Sequence, residues 1–298
     1  MNEVILYKET PIPGRWKQFW GKFRRNKGAL SGFIFLCFMV LMAVFSPLIA
    51  PFDPAEQFTE YLRTPPAWYE NGINHFIFGT DDLGRDLLSR VIHGSRLSLG
   101  LSATVVIIAA SLGILLGAIA GLLRGTLEFI ILRFMDVILA IPSLLLAIVI
   151  VAIMGPGLPN AVYAVAIVLI PHFVRIVRAA IKEEMSKDYV IAARLDGASP
   201  IRLFTHSIFP NILPPLIIQL TLAFSTALVD IAALGFLGLG AQPPNPEWGT
   251  ILSQSRDFIQ LAPWTVTIPG LAILLTVMSI NLMGDGLRDA LDPKDHRE

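Results

Sequence analysis

Five stretches of this chain, 29–50, 97–123, 137–174, 203–229 and 261–284, contain no Asp, Glu, Lys or Arg. A helix crossing the hydrocarbon of a bilayer needs about 20 apolar residues. Each stretch is long enough for one crossing, and the third is too long for one. Within it, "GPGLPN" at 155–160 has the composition of a tight turn rather than a helix. The pattern predicts six membrane helices near 29–50, 97–122, 136–154, 158–175, 212–236 and 262–284. The expected fold class is an all-α polytopic membrane protein.

The first run follows a basic cluster, Lys22, Arg24, Arg25 and Lys27, as a secretory signal would. Its 22 uncharged residues exceed the roughly 7–15 of a signal core, and no A-x-A-like cleavage site follows. It is read as an uncleaved spanning helix. Composition agrees: 15% of residues are charged, against about 25% in a soluble domain, and mean hydropathy is +0.65. The formal net charge is zero, so nothing suggests a nucleic-acid partner. The single cysteine, Cys37, cannot form an internal disulfide, and no Cys/His cluster suggests a metal.

Lys and Arg sort by side. With the N-terminus inside, 18 of the 23 fall on the cytoplasmic side, in 1–28, 123–135, 175–211 and the tail. Both termini are therefore expected in the cytoplasm. Arg124, Arg133 and Asp136 mark the cytoplasmic boundary of the third span.

The cytoplasmic stretch "DYVIAARLDGASPIRLFTHSIFPN" at 188–211 breaks the apolar pattern. Gly197 stands where a helix C-terminus favours positive φ. Ser199 offers an N-cap hydroxyl, and Pro200 takes the first helical position. Ile201, Phe204 and Ile208 follow as an apolar stripe on a short second helix, and Pro210, Pro214 and Pro215 kink the start of the fifth span. The product is a helix, a small-residue elbow at Gly197 and Ala198, and a short amphipathic helix. Physics alone leaves two readings open: docking into another protein's groove, or lying on lipid headgroups.

This segment resembles the cytoplasmic signature loop of ABC-importer permeases: E-A-A, three residues, Gly, and a Pro thirteen residues after that Gly. Ala192, Ala193, Gly197 and Pro210 fall on the pattern in register. Ile191 replaces the family's Glu, and Ser207 an aliphatic residue. The resemblance implies that the 194–208 elbow is a coupling helix seated in an ATP-hydrolysing subunit. Ala192, Ala193, Gly197, Ala198, Ser199, Pro200, Ile201, Phe204 and Pro210 would form the docking element.

"GTDDLGRDLLSRVIHGSRLSLG" at 79–100 carries Leu83, Leu87, Leu88, Val91 and Ile92 on one face. It is expected as a helix lying at the outer membrane interface. Asp81, Gly84, Arg85, Asp86, Arg90 and Arg96 resemble the peptide/nickel branch of these permeases. Each charge taken singly is read as pairing locally rather than touching cargo. Further on, Gly235, Gly238 and Gly240 are expected to let helices approach closely, and Trp248 to anchor at the interface.

Asp230 is the one acid well inside an apolar run. A charge near the bilayer centre costs about 2.5–3.5 kcal/mol on insertion scales, so it must face protein or water. It either lines a pathway and meets an ammonium group or bonds to a neighbouring helix. No G-x-x-x-x-G-K-[ST] phosphate loop is present, so ATP has no usual site here. No catalytic constellation stands out, and the chain is not read as an enzyme.

The resemblance runs from about residue 21 to 293. It implies an ABC importer type I permease fold with a core permease domain at 97–284, coupling loop 176–211 included. A basic 1–28 segment, a first span at 29–50, an outer loop at 51–96 and a 285–298 tail flank it. The implied partners are a second homologous permease, two ABC ATPases carrying ATP and Mg²⁺, and a periplasmic or lipid-anchored substrate-binding protein, with membrane lipid around them. The chain itself is expected to bind no cofactor. The implied setting is the bacterial inner membrane, and the implied cargo is dipeptides or short peptides. Nickel, oligopeptides, antimicrobial peptides and haem are alternatives within the class. An ion-driven secondary transporter would instead show several intramembrane ionisable groups and internal repeats.

Overall fold

A computed structural model describes residues 14–123 and 125–291. Its elements are α1 (Arg15–Arg25), α2 (Lys27–Val44), α3 (Ser46–Ile49), α4 (Leu87–Leu122), α5 (Thr126–Leu139), α6 (Ser143–Met154) and α7 (Leu158–Glu184). Then come α8 (Asp188–Leu195), α9 (Pro200–Arg202), a π-helical stretch Leu203–Ile208, α10 (Phe209–Phe236), α11 (Trp248–Ser255) and α12 (Trp264–Leu291). No strand occurs among the described residues beyond one isolated bridge between Thr80 and Asp86. Residues 1–13 of the basic segment, Arg124 and 292–298 of the tail lie outside the described residues.

Five helical segments are long and apolar enough to cross a membrane: α2, α4, α7, α9 through α10, and α12. The third expected span, 136–154, is not a single rod. It is α5 and α6, bent by 91° where they meet. Pro142 disfavours helix at the residue before it, which places the break. At 12 residues, α6 is about 18 Å long, short of the roughly 30 Å hydrocarbon core. A sixth crossing requires both halves.

Three further boundaries differ from expectation. Asn26 caps α2, its Oδ1 accepting from the Ala29 N–H at 3.1 Å, so the helix starts ahead of 29. It ends at Val44, and the turn of α3 completes the run. The 79–100 stretch does not lie on the membrane as a separate helix. Asp86 caps a single 36-residue α4, accepting from Ser89 N–H at 2.7 Å and Ser89 Oγ at 2.6 Å. At 1.5 Å per residue α4 is about 54 Å long, so its first turns stand above the span. Finally, α12 continues to Leu291, so the expected tail begins as helix.

The centre of the fold is α4 against α7. A Cβ on Gly113 would lie 2.3 Å from Phe173 Cβ, one on Gly117 2.8 Å from Val177 Cβ, and one on Gly121 2.9 Å from Ile181 Cβ. The matched four-residue steps mean that the two helices run parallel, backbone close to backbone. Around this seam Val105, Ala109, Val165, Phe173, Val177 and Ile181 are almost wholly buried. Gly113→Leu forces side chains into backbone at that seam, an overpacking cost of about 1–3 kcal/mol or more. The expected result is a lower melting temperature of the detergent-purified protein; unchanged melting would show that the helices do not meet there.

The parallel run fixes an axis. The end of α7, where the 188–211 segment begins, sits beside the end of α4. The start of α4, with the 81–96 motif, lies at the opposite end of the fold.

Candidate functional site

The elbow forms as its residues dictate. Helix α8 closes at Leu195, and the N–H groups of Asp196 and Gly197 bond to Ala192 O at 3.0 Å and Arg194 O at 3.1 Å. Gly197 has φ +83°, and a Cβ there would meet nothing within 4 Å. The chain then reverses, Ala198 N–H reaching Ala193 O at 3.1 Å. Ser199 Oγ accepts from Arg202 N–H at 3.4 Å, and Pro200 opens α9. Leu195 is 82% exposed and Ile201 77%, flanking the bare Gly197. Ala192, Ser199, Pro200 and Pro210 are also exposed; Ala193, Ala198 and Phe204 are half-buried.

The expected stripe of Ile201, Phe204 and Ile208 does not form. Residues 203–208 are π-helical, and the wider turn puts i and i+5 on one side. Leu203 and Ile208 are therefore the buried pair, at 3% and 0% exposure, while Ile201 faces outward. Phe204 leans on Phe209, ring centroids 5.6 Å apart. Pro214 and Pro215 sit inside α10, near its start.

A polar knot fastens the elbow to the helices behind it. The Glu184 carboxylate, at the end of α7, accepts from Lys187 Nζ and the Tyr189 hydroxyl. Asn211 Nδ2 donates to Tyr189 Oη at 3.0 Å and to Ser207 O at 2.8 Å. Burial, and then the hydrogen bond to Glu184, push the Tyr189 phenol up to about 12, so it stays a donor across the physiological range. One side chain thus links α7, α8 and α10. On α5, Glu128 accepts from Arg178 Nε at 2.8 Å and from Lys182 Nζ, and Asp136 from Arg175 Nη2 at 2.6 Å, so Asp136 ties α5 to α7.

At the far end, the 81–96 charges fold inward. Asp81 accepts from Arg85 Nε at 2.7 Å and Arg90 Nη1 at 3.2 Å. Gln254 Oε1, from α11, accepts from Arg85 Nη2 at 3.1 Å and Arg90 Nη2 at 2.7 Å. Arg90 is fully buried. Gly84 presses on the preceding loop, where a Cβ would come within 2.2 Å of Phe58 O. Burial pushes the Asp86 carboxyl up, its bonds to Ser89 pulling the other way. Arg96 stands apart from this cluster and is exposed.

Beside it, Glu247 is fully buried at the start of α11. It accepts from Gly249 N–H at 3.0 Å, Thr250 N–H at 2.9 Å and Ser98 Oγ at 3.0 Å. Burial pushes its carboxyl up against those bonds. Trp248 is not an interfacial anchor. It is fully buried, and its Nε1 donates to Val91 O at 3.0 Å. Gly235 receives the Glu247 carboxylate rather than another span, since a Cβ there would sit 2.3 Å from Oε2. Gly238, at φ +76°, serves a turn.

Asp230 is 6% exposed on α10, beside fully buried Ala227 and Leu228, and its Oδ2 has no hydrogen-bond partner. The sequence-derived residues therefore form two clusters at opposite ends, with Asp230 between them. Sequence reasoning misses Glu184, Tyr189, Asn211, Glu247 and Gln254. Only Glu247 carries a local signal, an acid ahead of a short helix, and Glu is an uncommon cap.

The chain is similar to known proteins along nearly its whole length. Residues 113–296 match the model of "binding-protein-dependent transport system inner membrane component", and residues 14–66 that of the "N-terminal TM domain of oligopeptide transport permease C". The chain is 56% identical over 282 residues to the di/tripeptide transport system permease protein DppC of Pseudomonas aeruginosa, covering 95% of this chain and 93% of that one. It is 54% identical to the dipeptide transport system permease protein DppC of Escherichia coli, covering 98% and 97%. It is 42% identical to the peptide transport system permease protein SapC of the same species, covering 96% and 97%. Among solved structures, a chain of an inward-facing MetNI methionine ABC transporter aligns with TM-score 0.56 at 18% identity, over 68% of this chain and 96% of that one. At that identity the likeness shows the fold.

Proposed function

Because this chain belongs to the family of binding-protein-dependent transport system inner membrane components, we propose that it passes dipeptides and other short peptides across the bacterial inner membrane. It is a multi-pass permease subunit of an ABC importer, working with ATPase and substrate-binding partners, and ATP hydrolysis belongs to the partner subunits. On our reading it forms half of the pathway beside a second homologous permease, over two cytoplasmic ATPases, with a periplasmic or lipid-anchored binding protein delivering cargo. ATP and Mg²⁺ stay on the ATPases.

The observation that carries the coupling role is the elbow: Leu195 and Ile201 held out on either side of bare Gly197, on a base anchored by Leu203 and Ile208. Closure of the ATPases pushes on this surface. The Glu184–Tyr189–Asn211 knot passes the push to α7 and α10, and the α4–α7 seam spreads it through the fold. Peptide cargo is supported by the named activities of relatives more than 50% identical over nearly the whole chain.

The test is uptake of labelled dipeptide, nickel and haem by cells with and without this chain. Dipeptide uptake should disappear on deletion and return on complementation; loss of nickel or haem uptake alone would overturn the cargo.

We assign Asp230 to the pathway as well. An orphan carboxylate oxygen in an apolar span needs a cation or water, and a peptide's ammonium group is such a cation. Asp230→Asn is expected to slow peptide uptake several-fold in reconstituted vesicles. Equal rates across pH would make Asp230 a purely structural group.

A further inference from the structure

A cleft of about 460 Å³ opens at the end of the fold away from the elbow, between the start of α4 and the loop before α11. Its lining includes Pro54, His93, Arg96, Leu97, Leu101 and Pro246. We infer that this cleft is a mouth subsite for the free carboxylate of a short peptide, with Arg96 as its cationic ligand. The inference rests on the peptide-import reading above and assigns one end of that cargo to a place.

Three observations carry it. First, Arg96 differs from its neighbours in the motif. Arg85 and Arg90 turn inward onto Asp81 and Gln254, whereas Arg96 is exposed and makes no salt bridge among the described residues. A guanidinium with open donors, on apolar walls that weaken screening, fits a carboxylate with two parallel hydrogen bonds.

Second, the cleft is preformed. Pro246 is held against α4 at Gly94, where a Cβ would come within 2.4 Å of its carbonyl oxygen. Trp248 and Glu247 lock the same loop to Val91 and Ser98. The volume lies in the usual range for small-molecule sites, about 300–1,000 Å³. Walls of Pro and Leu accept varied side chains, while the one cation reads the feature that all free peptides share.

Third, the cleft leads somewhere. Gly100, Thr104, Ile107 and Ser111 are exposed in succession along α4 below Arg96. The Thr104 and Ser111 hydroxyls donate to Gly100 O at 2.8 Å and Ile107 O at 2.7 Å. With Gly100, Thr104 and Ser111 beside a single exposed aliphatic residue, Ile107, this lane is less aliphatic than the face that a helix turns to lipid. It gives a bound peptide a way inward along the same helix.

The rival occupant is an acidic loop of the binding protein, docked on Arg96 from outside. The complete transporter in proteoliposomes, supplied with its loaded binding protein and labelled dialanine, separates the two. At saturating binding protein, Arg96→Gln should lower uptake about tenfold, the worth of one charge-assisted hydrogen bond. Arg96→Lys should recover part of the loss, and Arg96→Glu should fall furthest. Equal uptake by all variants overturns the subsite. So does uptake that returns to the unsubstituted rate as binding protein is raised, which makes Arg96 a docking contact. If the unsubstituted transporter takes up no dipeptide, the cargo assignment itself fails and takes this inference with it.

Discussion

Gly197→Trp is expected to leave the chain inserted in the membrane and to strip it of its ATPase partner. The fold around the position tolerates the bulk, because a Cβ there meets no atom within 4 Å. The backbone does not tolerate it fully: φ is +83°, and a left-handed conformation costs an L-residue roughly 1–2 kcal/mol. That strain is small beside the docking effect. An indole between exposed Leu195 and Ile201 would fill the surface that a partner's groove must close over. Losses at the centre of an interface commonly exceed about 2 kcal/mol, so recovery of ATPase in a pull-down should fall by more than about tenfold. Gly197→Ala separates the two causes, since it carries the strain without the bulk and should retain most of the ATPase. Stoichiometric ATPase on the Trp variant would show that the elbow is not the docking element.

The elbow is legible in the sequence because its signals are local. Gly197, Ser199 and Pro200 each state a backbone preference within a few residues, and the turn adopts them. The helical phase of 201–208 is not legible. An α-helical reading puts Ile201, Phe204 and Ile208 on one stripe, and only the π-helical stretch explains why Leu203 and Ile208 are the buried pair. Uncharged length locates the spans but not their ends, because Asn26 and Asp86 set helix starts through side-chain caps outside the apolar runs. The 91° break between α5 and α6 has a visible cause in Pro142, yet the unbroken apolar pattern around it conceals the change of direction. The buried charges are the least legible feature. Arg90 meets Gln254 across 164 residues, and Ser98 meets Glu247 across 149. A charged, amphipathic stretch reads as a surface helix until the partner that buries it is known.

That burial sets the second large effect. Asp81 is the carboxylate facing both Arg85 Nε at 2.7 Å and Arg90 Nη1 at 3.2 Å. The side chains of Asp81 and Arg85 are each 4% exposed, and that of Arg90 is 0%. Asp82 reaches Arg85 only at 3.9 Å and is itself partly exposed, so it cannot replace Asp81. Removing one partner of a buried pair strands the other and costs about 3–5 kcal/mol. Here one deletion strands two guanidiniums, with Gln254 as their remaining acceptor. Asp81→Ala is therefore expected to loosen the loop 51–86 from α4 and α11. The variant should melt well below the unsubstituted protein and be cut by protease within that loop, on the side of the membrane opposite the elbow. Adding Arg90→Met to Asp81→Leu removes one of the two stranded guanidiniums, leaving Arg85 with Gln254, and should recover part of the loss, since apolar replacements of buried ion pairs are often neutral. An Asp81→Ala variant with unchanged melting and an intact loop would mean that the guanidiniums are solvated by water, and that this cluster does not hold the outer cap in place.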